Sequence, residues 1–240
     1  MIYFNGDSHS YYDPNWQPGV QNINNLWPAV VAKELGETYI NESMGCGSNS
    51  RIFDCLENYL ICGNRPSLVI LGLTTFDRYH IPYGYMSRIN YGPGHALIET
   101  TNNNNREIEK FLTSNYNELD AMYRYYKTIW EIFNLCEYFK IKVFMFQMWD
   151  QSIATRGLLD DDQTMIEYVN QFKDDNNTVW IPKDRYIEGF RFFKKCKSFW
   201  NYNENVYSLD ESLFDITQHP NELGHKKIAD YVLQCLKEIR

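Results

Sequence analysis

Basic residues are scarce: 23 Lys and Arg stand against 31 Asp and Glu, which leaves a net charge of −8. A surface built for nucleic acid gathers Lys and Arg into a stripe that neutralises phosphates. The nearest approach, Arg191 to Lys197, is short and interrupted by Phe192 and Phe193. No nucleic-acid partner is expected. Long apolar runs are missing too, and none approaches the ~18 residues that cross a bilayer. The first residues, Met1-Ile-Tyr-Phe, lack the basic stretch that opens a secretory signal. The expectation is a soluble chain with no membrane partner and no cleaved signal. The six cysteines (46, 55, 62, 136, 196 and 235) form no C-x-x-C pair. That spacing argues against a zinc site or a disulfide framework and for reduced, mostly buried thiols. No metal and no organic cofactor is implied.

Aromatics are plentiful, with 19 Tyr, 14 Phe and 6 Trp. Tyr and Trp join an apolar body to a polar tip, which suits the walls of a carbohydrate groove. The same abundance is equally a habit of composition. At 240 residues a domain can bury about 70% of its unfolded surface, so the core needs no staples.

Strands alternate with helices along the first half. Ile2–Asn5 reads as a strand, and Leu26–Leu35 as a helix through Leu26, Val30, Val31 and Leu35, with Gly36 at its C-cap. Thr38–Ile40 is a second strand, and Ser48–Leu60 a helix facing inward through Ile52, Cys55, Leu56 and Tyr59. Leu68-Val-Ile-Leu71 is a continuous apolar run, as in a strand buried on both faces. The pattern breaks over 79–115, rich in Gly, Pro and Asn, which reads as an irregular insertion, either a lid or a partly disordered loop. A long helix over Asn117–Phe139 follows, carrying Leu119, Met122, Tyr126, Ile129, Phe133 and Cys136, and then a strand over Lys142–Met148. Residues 150–210 are hardest to place, with Asp184–Lys195 a helix or a helical turn. Asn221–Ile239 is amphipathic through Leu223, Ile228, Val232, Cys235 and Ile239. This order predicts a single α/β domain over 1–240, a doubly wound parallel sheet with its ligand site beyond the carboxyl ends of the strands.

Gly6-Asp7-Ser8 lies at that end of the first strand. Gly6 permits a tight turn, and Ser8 follows near free backbone N–H groups. A serine becomes a nucleophile only beside a base; alone, the tripeptide also fits a turn or a helix cap. Near the other end stands Asp215-Ile-Thr-Gln-His219-Pro220. The residue before proline is pushed out of the helical region, so the His219 imidazole is held in an extended loop. That is the placement a general base requires. Asn221 is the expected N-cap of the helix that follows, and His225, one turn on, reads as a structural histidine.

The order of these segments resembles the SGNH (GDSL-type) hydrolase superfamily. Gly6-Asp7-Ser8 is similar to its first block, whose serine is the nucleophile. Asn41 to Ile52, with Gly45, Gly47, Ser48 and Asn49, resembles the second, where a glycine N–H lines the oxyanion hole. Leu71 to Arg78, with Thr74 and Thr75, stands where the third belongs, and His219-Pro220 matches the last. The Trp27-to-Gly36 and Ser48-Asn49-x-Arg-Ile segments also resemble SGNH-like proteins of tailed phages. The resemblance implies a flavodoxin-like sheet with helices on both faces, Ser8 as nucleophile, His219 as base, and a location in the cytoplasm or, for a viral chain, in the virion.

Three departures stand out. The third block usually supplies an Asn to the oxyanion hole, and Thr74 or Thr75 stands there. Losing such a donor costs ~3 kcal/mol of transition-state stabilisation; Arg78 is a candidate to compensate or to bind substrate. The catalytic acid normally lies three residues before the histidine, where this chain has Ile216; Asp215, four before, is the nearest carboxylate. A Ser–His dyad, or an acid from elsewhere, remains the alternative. The usual glycine position falls on Cys46, leaving Gly47 or Gly45 as donors, with the N–H of Ser8 itself. Asp7 and Asn49 are further candidates for substrate contacts. The expected activity is hydrolysis of a small or carbohydrate-linked ester through an acyl-enzyme. The alternatives are an SGNH-fold module that binds glycans or belongs to a virion with weakened catalysis, and an O-acyltransferase using the same site.

Overall fold

A computed structural model describes residues 1–14, 17–45, 47–75, 78–83, 87–91, 118–149, 198–200, 211–217 and 219–239. The strands are β1 (Ile2–Asn5), β2 (Tyr39–Asn41), β3 (Leu68–Leu73), β4 (Tyr79–Tyr83), β5 (Ser87–Tyr91), β6 (Lys142–Trp149) and β7 (Ser198–Trp200). The helices are α1 (Trp27–Glu34), α2 (Asn49–Ile61), α3 (Glu118–Tyr138) and α4 (Glu222–Ile239).

Among the described residues five strands form one sheet in the order β2-β1-β3-β6-β7, and every neighbouring pair is parallel. Alternation along the strands divides the core in two. Ile2, Phe4, Ile70, Phe146 and Met148 pack with Trp27, Val31 and Ala32 of α1 and Ile228, Ala229, Val232 and Leu236 of α4. Tyr3, Val69, Leu71, Leu73 and Met145 pack on the other face with Ile52, Leu56 and Leu60 of α2 and Tyr125, Tyr126, Ile129, Ile132 and Cys136 of α3. The doubly wound α/β sheet with helices on both faces is therefore as expected. The order around β1 reverses direction, with β2 on one side and β3 on the other. In parallel sheets such a switch point opens a crevice beyond the carboxyl ends. The segments after β1, β2 and β3 all emerge there.

Local chemistry explains two of the helix ends. Gly36 takes φ 67°, the left-handed conformation that closes a helix at little steric cost. Asn221 Oδ1 accepts from the Gly224 N–H, 3.0 Å, and caps α4. Two helix faces differ from expectation. Leu223 is 53% exposed and Phe133 40% exposed. The rest of each described stripe is buried as expected, Ile228, Val232 and Cys235 on α4 and Tyr126, Ile129 and Cys136 on α3; His225 and Ala229 join the first, and Tyr125 and Ile132 the second. Both stripes keep helical spacing, and His225 and Tyr125 add polar-tipped side chains to them. Part of the stretch read as an irregular insertion is regular: β4 and β5 pair as an antiparallel hairpin, while 92–117 lies outside the described residues. β7 lies in the stretch that showed no pattern, and Asp184–Lys195, expected as a helix or a helical turn, also lies outside. Cys136 and Cys235 are buried free thiols, Cys55 is half-buried and Cys62 exposed. No helix among the described residues is long and apolar enough to cross a membrane.

Candidate active site

The turn after β1 is held from within and from far along the chain. The Gly6 N–H donates to Asn5 Oδ1 at 2.8 Å, and Ser10 N–H to the Asp7 carbonyl at 2.9 Å. Gln17 Nε2 donates to the Ser8 carbonyl at 2.6 Å and pins the backbone of the nucleophile candidate. Asp7 has no exposed side-chain surface. Its Oδ1 accepts from the His9 N–H, 3.0 Å, and its Oδ2 from the Thr74 hydroxyl, 2.9 Å, and from Arg78 Nη1, 3.1 Å. A buried carboxylate is tolerable only when so satisfied.

This network alters what Thr74 can do. A hydroxyl has one proton, and that of Thr74 points at Asp7. The oxyanion therefore cannot receive it without breaking the bond. Asn49, almost fully buried, is committed as well. Its Nδ2 donates to the Thr74 and Thr75 carbonyls at 2.9 and 3.2 Å, and its Oδ1 accepts from Thr74 N–H at 2.9 Å. It latches α2 to the end of β3. Of the three candidates for substrate contacts, Asp7 and Asn49 face inward; Arg78 keeps 14% exposure.

The glycine-rich turn after β2 docks on the nucleophile turn. Met44 N–H donates to the Gly6 carbonyl at 3.2 Å, and Gly47 N–H to the Met44 carbonyl at 3.0 Å. A Cβ on Gly47 would stand 3.0 Å from the Met44 oxygen and 3.2 Å from the Gly6 oxygen. Glycine is needed there for close approach, and its N–H is engaged in the turn. Among the described residues, the N–H groups of Ser8 and Gly45 have no acceptor. Cys46 lies outside the description.

The base loop is closed by the bridge between Phe214 and Pro220 and by a hydrogen bond from Asp215 N–H to the His219 carbonyl, 2.9 Å. Asp215 sits at its centre. Oδ1 accepts from Thr217 N–H at 2.9 Å, from His219 N–H at 3.2 Å and from the Thr217 hydroxyl at 2.5 Å. Oδ2 faces the Gly19 N–H at 3.4 Å. The partner of the imidazole Nδ1 is Thr217 Oγ1, 2.9 Å away. Asp215 thus reaches the ring through an intervening hydroxyl. The Ile216 side chain points out and is 93% exposed.

The two ends of the chain meet at this site. The His9 and His219 rings lie 5.7 Å apart between centroids. Burial pushes His219 below the ordinary imidazole range; Asp215, Asp7 and the Thr217 backbone hydrogen bond oppose that shift, and Arg78 adds to it. Ser8 is therefore bracketed by two residues, Asp7 and His9, that both reach the surroundings of His219. The Ser8 hydroxyl makes no hydrogen bond among the described residues. His225 is fully buried beneath the loop. Its Nδ1 accepts from the Trp27 N–H at 3.5 Å, and burial, with help from His9 and His219, pushes it down to about 3. Among the described residues no group of three His, Cys, Asp or Glu side chains is placed to hold a metal ion.

Sequence reasoning passed over Thr217 and Gln17. Only Thr217 left a signal, a hydroxyl residue between a carboxylate and a histidine in Asp215-Ile-Thr-Gln-His219.

No protein-family model matches the chain, nor does any curated protein sequence. Solved structures do. TesA superposes with a TM-score of 0.51 at 13% identity, covering 100% of this chain and 99% of its own, and the fold is shared with it. The psychrotrophic esterase EstA from Pseudoalteromonas sp. gives 0.47 at 11% identity, covering 99% and 96%. A member of the lipolytic protein G-D-S-L family from Veillonella parvula gives 0.44 at 13%, covering 97% and 96%.

Proposed function

We propose that this chain is a serine ester hydrolase of SGNH type, working through an acyl-enzyme. The observation that carries the proposal is the meeting of the strand-end Gly6-Asp7-Ser8 turn with the His219 loop, at the switch point of a parallel sheet. His219 Nε2 takes the Ser8 proton as Oγ bonds to the ester carbon, and the carbonyl π pair moves onto oxygen. The N–H groups of Ser8 and Gly45 hold that oxyanion, since the Gly47 N–H and the Thr74 proton are engaged elsewhere. Collapse expels the alkoxide, which takes the proton back from Nε2. Water then attacks the acyl-enzyme by the same steps and releases the acid. The aromatic content supports a small or carbohydrate-linked ester as substrate, and Arg78 is the charged side chain at hand to contact it.

Ser8→Ala tests the assignment. Turnover of p-nitrophenyl acetate and labelling by a fluorophosphonate probe should both fall by ~10⁴-fold or more, with the melting curve unchanged. Turnover that survives the substitution would sink the assignment.

One observation favours a second reading. The Thr74 proton points at Asp7, so Thr74 gives the hole no side-chain donor, as in a glycan-binding or virion-associated module with weakened catalysis. A parent chain that binds glycans but leaves the probe unreacted selects that reading.

A further inference from the structure

The bond at His219 Nδ1 differs from the arrangement in which a carboxylate touches the imidazole directly. A carboxylate one hydroxyl away is a different device, and the hydrogen-bond inventory of the loop fixes its direction. Asp215 Oδ1 accepts two backbone N–H groups, from Thr217 and His219, and a carboxylate has no proton of its own to give. The Thr217 hydroxyl must therefore give its single proton to Asp215, 2.5 Å away. A lone pair of Thr217 Oγ1 is left facing His219 Nδ1 at 2.9 Å. That contact is attractive only when Nδ1 carries hydrogen. Nε2 is then the unprotonated nitrogen, the one that can accept a proton.

We propose that Thr217 is a positioning residue that relays the Asp215 charge to His219 and holds its imidazole in the Nδ1–H form with Nε2 free. The proposal rests on the acyl-enzyme reading for its catalytic consequence, though not for its hydrogen bonds. When Nε2 takes the Ser8 proton, the positive ring is met by a hydroxyl dipole already oriented by Asp215. No proton crosses Thr217: the one on Nε2 goes to the leaving alkoxide, and those on Nδ1 and Oγ1 stay in place. The relay also accounts for the register of the loop. Asp215 and Thr217 flank Ile216, whose side chain faces solvent, so the position three before the histidine is turned away from the ring. An aspartate four before, with a hydroxyl two before, spans the same gap.

Thr217→Val keeps the branched shape and removes the hydroxyl, and Thr217→Ser keeps the hydroxyl. The loop's backbone bonds, Thr217 N–H to Asp215, Asp215 N–H to the His219 carbonyl and the Thr217 backbone bond to the imidazole, remain in both, so a difference between them reports the hydroxyl alone. With ¹⁵N-histidine-labelled protein, and His219→Gln to assign the signal, the His219 nitrogen shifts report its tautomer. The parent and T217S should show the Nδ1–H form, and T217V a shift toward Nε2–H, the form a free imidazole prefers. Fluorophosphonate labelling of Ser8 should slow ~10²-fold in T217V and stay near the parent rate in T217S. A T217V protein that keeps both the Nδ1–H form and the parent labelling rate overturns the relay. So does a T217S protein that loses as much as T217V. If Ser8 in the parent never labels while the tautomer still responds to T217V, the acyl-enzyme reading falls and the hydrogen-bond relay stands.

Discussion

The nucleophile turn and the base loop are built in opposite ways. The turn after β1 is tied by bonds that span the chain: Asp7 to Thr74 and Arg78, Gly6 to Met44, and Asn5 to Arg51 at 3.4 Å. The base loop is tied almost wholly to itself, through Asp215, Thr217 and His219 within five residues. Asp7 is fully buried, whereas Asp215 and His219 are half-buried. One end of the site is thus an outgrowth of the sheet, and the other a self-contained device set beside it. Damage to the first should spread into the fold, while damage to the second should stay in the chemistry.

Asp7→Ala tests that contrast most severely. It leaves the Arg78 guanidinium, only 14% exposed, without its carboxylate, and strips the Thr74 hydroxyl and the His9 N–H of an acceptor. Removing one member of a buried pair costs 3–5 kcal/mol when burial is complete, and the partial exposure of Arg78 puts the loss at about 3 kcal/mol. Urea unfolding should show it, with activity lost alongside. T217V should by comparison unfold within about 1 kcal/mol of the parent. If D7A unfolds like the parent, the turn is not anchored through Asp7 and the contrast collapses.

The same contrast explains what the sequence disclosed. The strands were legible because buried parallel strands read as apolar runs, Leu68-Val-Ile-Leu71 being the plainest. His219-Pro220 was legible because proline restricts its neighbour locally. Hydrogen-bond direction was not. Nothing in the sequence says that the Thr74 proton turns to Asp7, or that the Gly47 N–H turns to Met44. Those choices are made by approach in three dimensions between segments far apart in sequence. Leu223 and Phe133 misled because a helix buries the face its neighbours cover: α4 turns His225 inward, and α3 turns Tyr125 and Ile132 inward. β7 is three residues long and paired to a single neighbour, too short for alternation to show.

His225 lies where the two regions touch, bonded to the Trp27 N–H at the start of α1, and it gives a smaller effect. Its folded-state pKa, about 3, is far below the unfolded value of about 6.5. Between those values the unfolded chain binds the extra proton, so stability is full above about pH 6.5 and falls as pH drops toward 3. By pH 5 this one group should have cost about 2 kcal/mol. His225→Gln should flatten that part of the stability–pH curve, measured by urea unfolding at pH 7 and pH 5. Identical slopes in parent and variant would mean that some other group, His9 or His219 included, carries the acid sensitivity.

The smallest expected effect comes from placing an acid three residues before the histidine. Ile216→Asp puts a carboxylate at that place, yet the side chain there is 93% exposed and points away from the imidazole. A solvated charge on that side is screened from His219. Stability should move by no more than about 0.5 kcal/mol, and Ser8 labelling should stay within about twofold, the rate equivalent of that energy. The same substitution in T217V should restore nothing. If I216D instead recovers the rate and the Nδ1–H tautomer that T217V loses, the loop can shift by one residue and present its acid directly. The base loop would then be a flexible segment that accepts either register, and its self-contained bonding a preference of about the energy of one hydrogen bond, on the order of 1 kcal/mol.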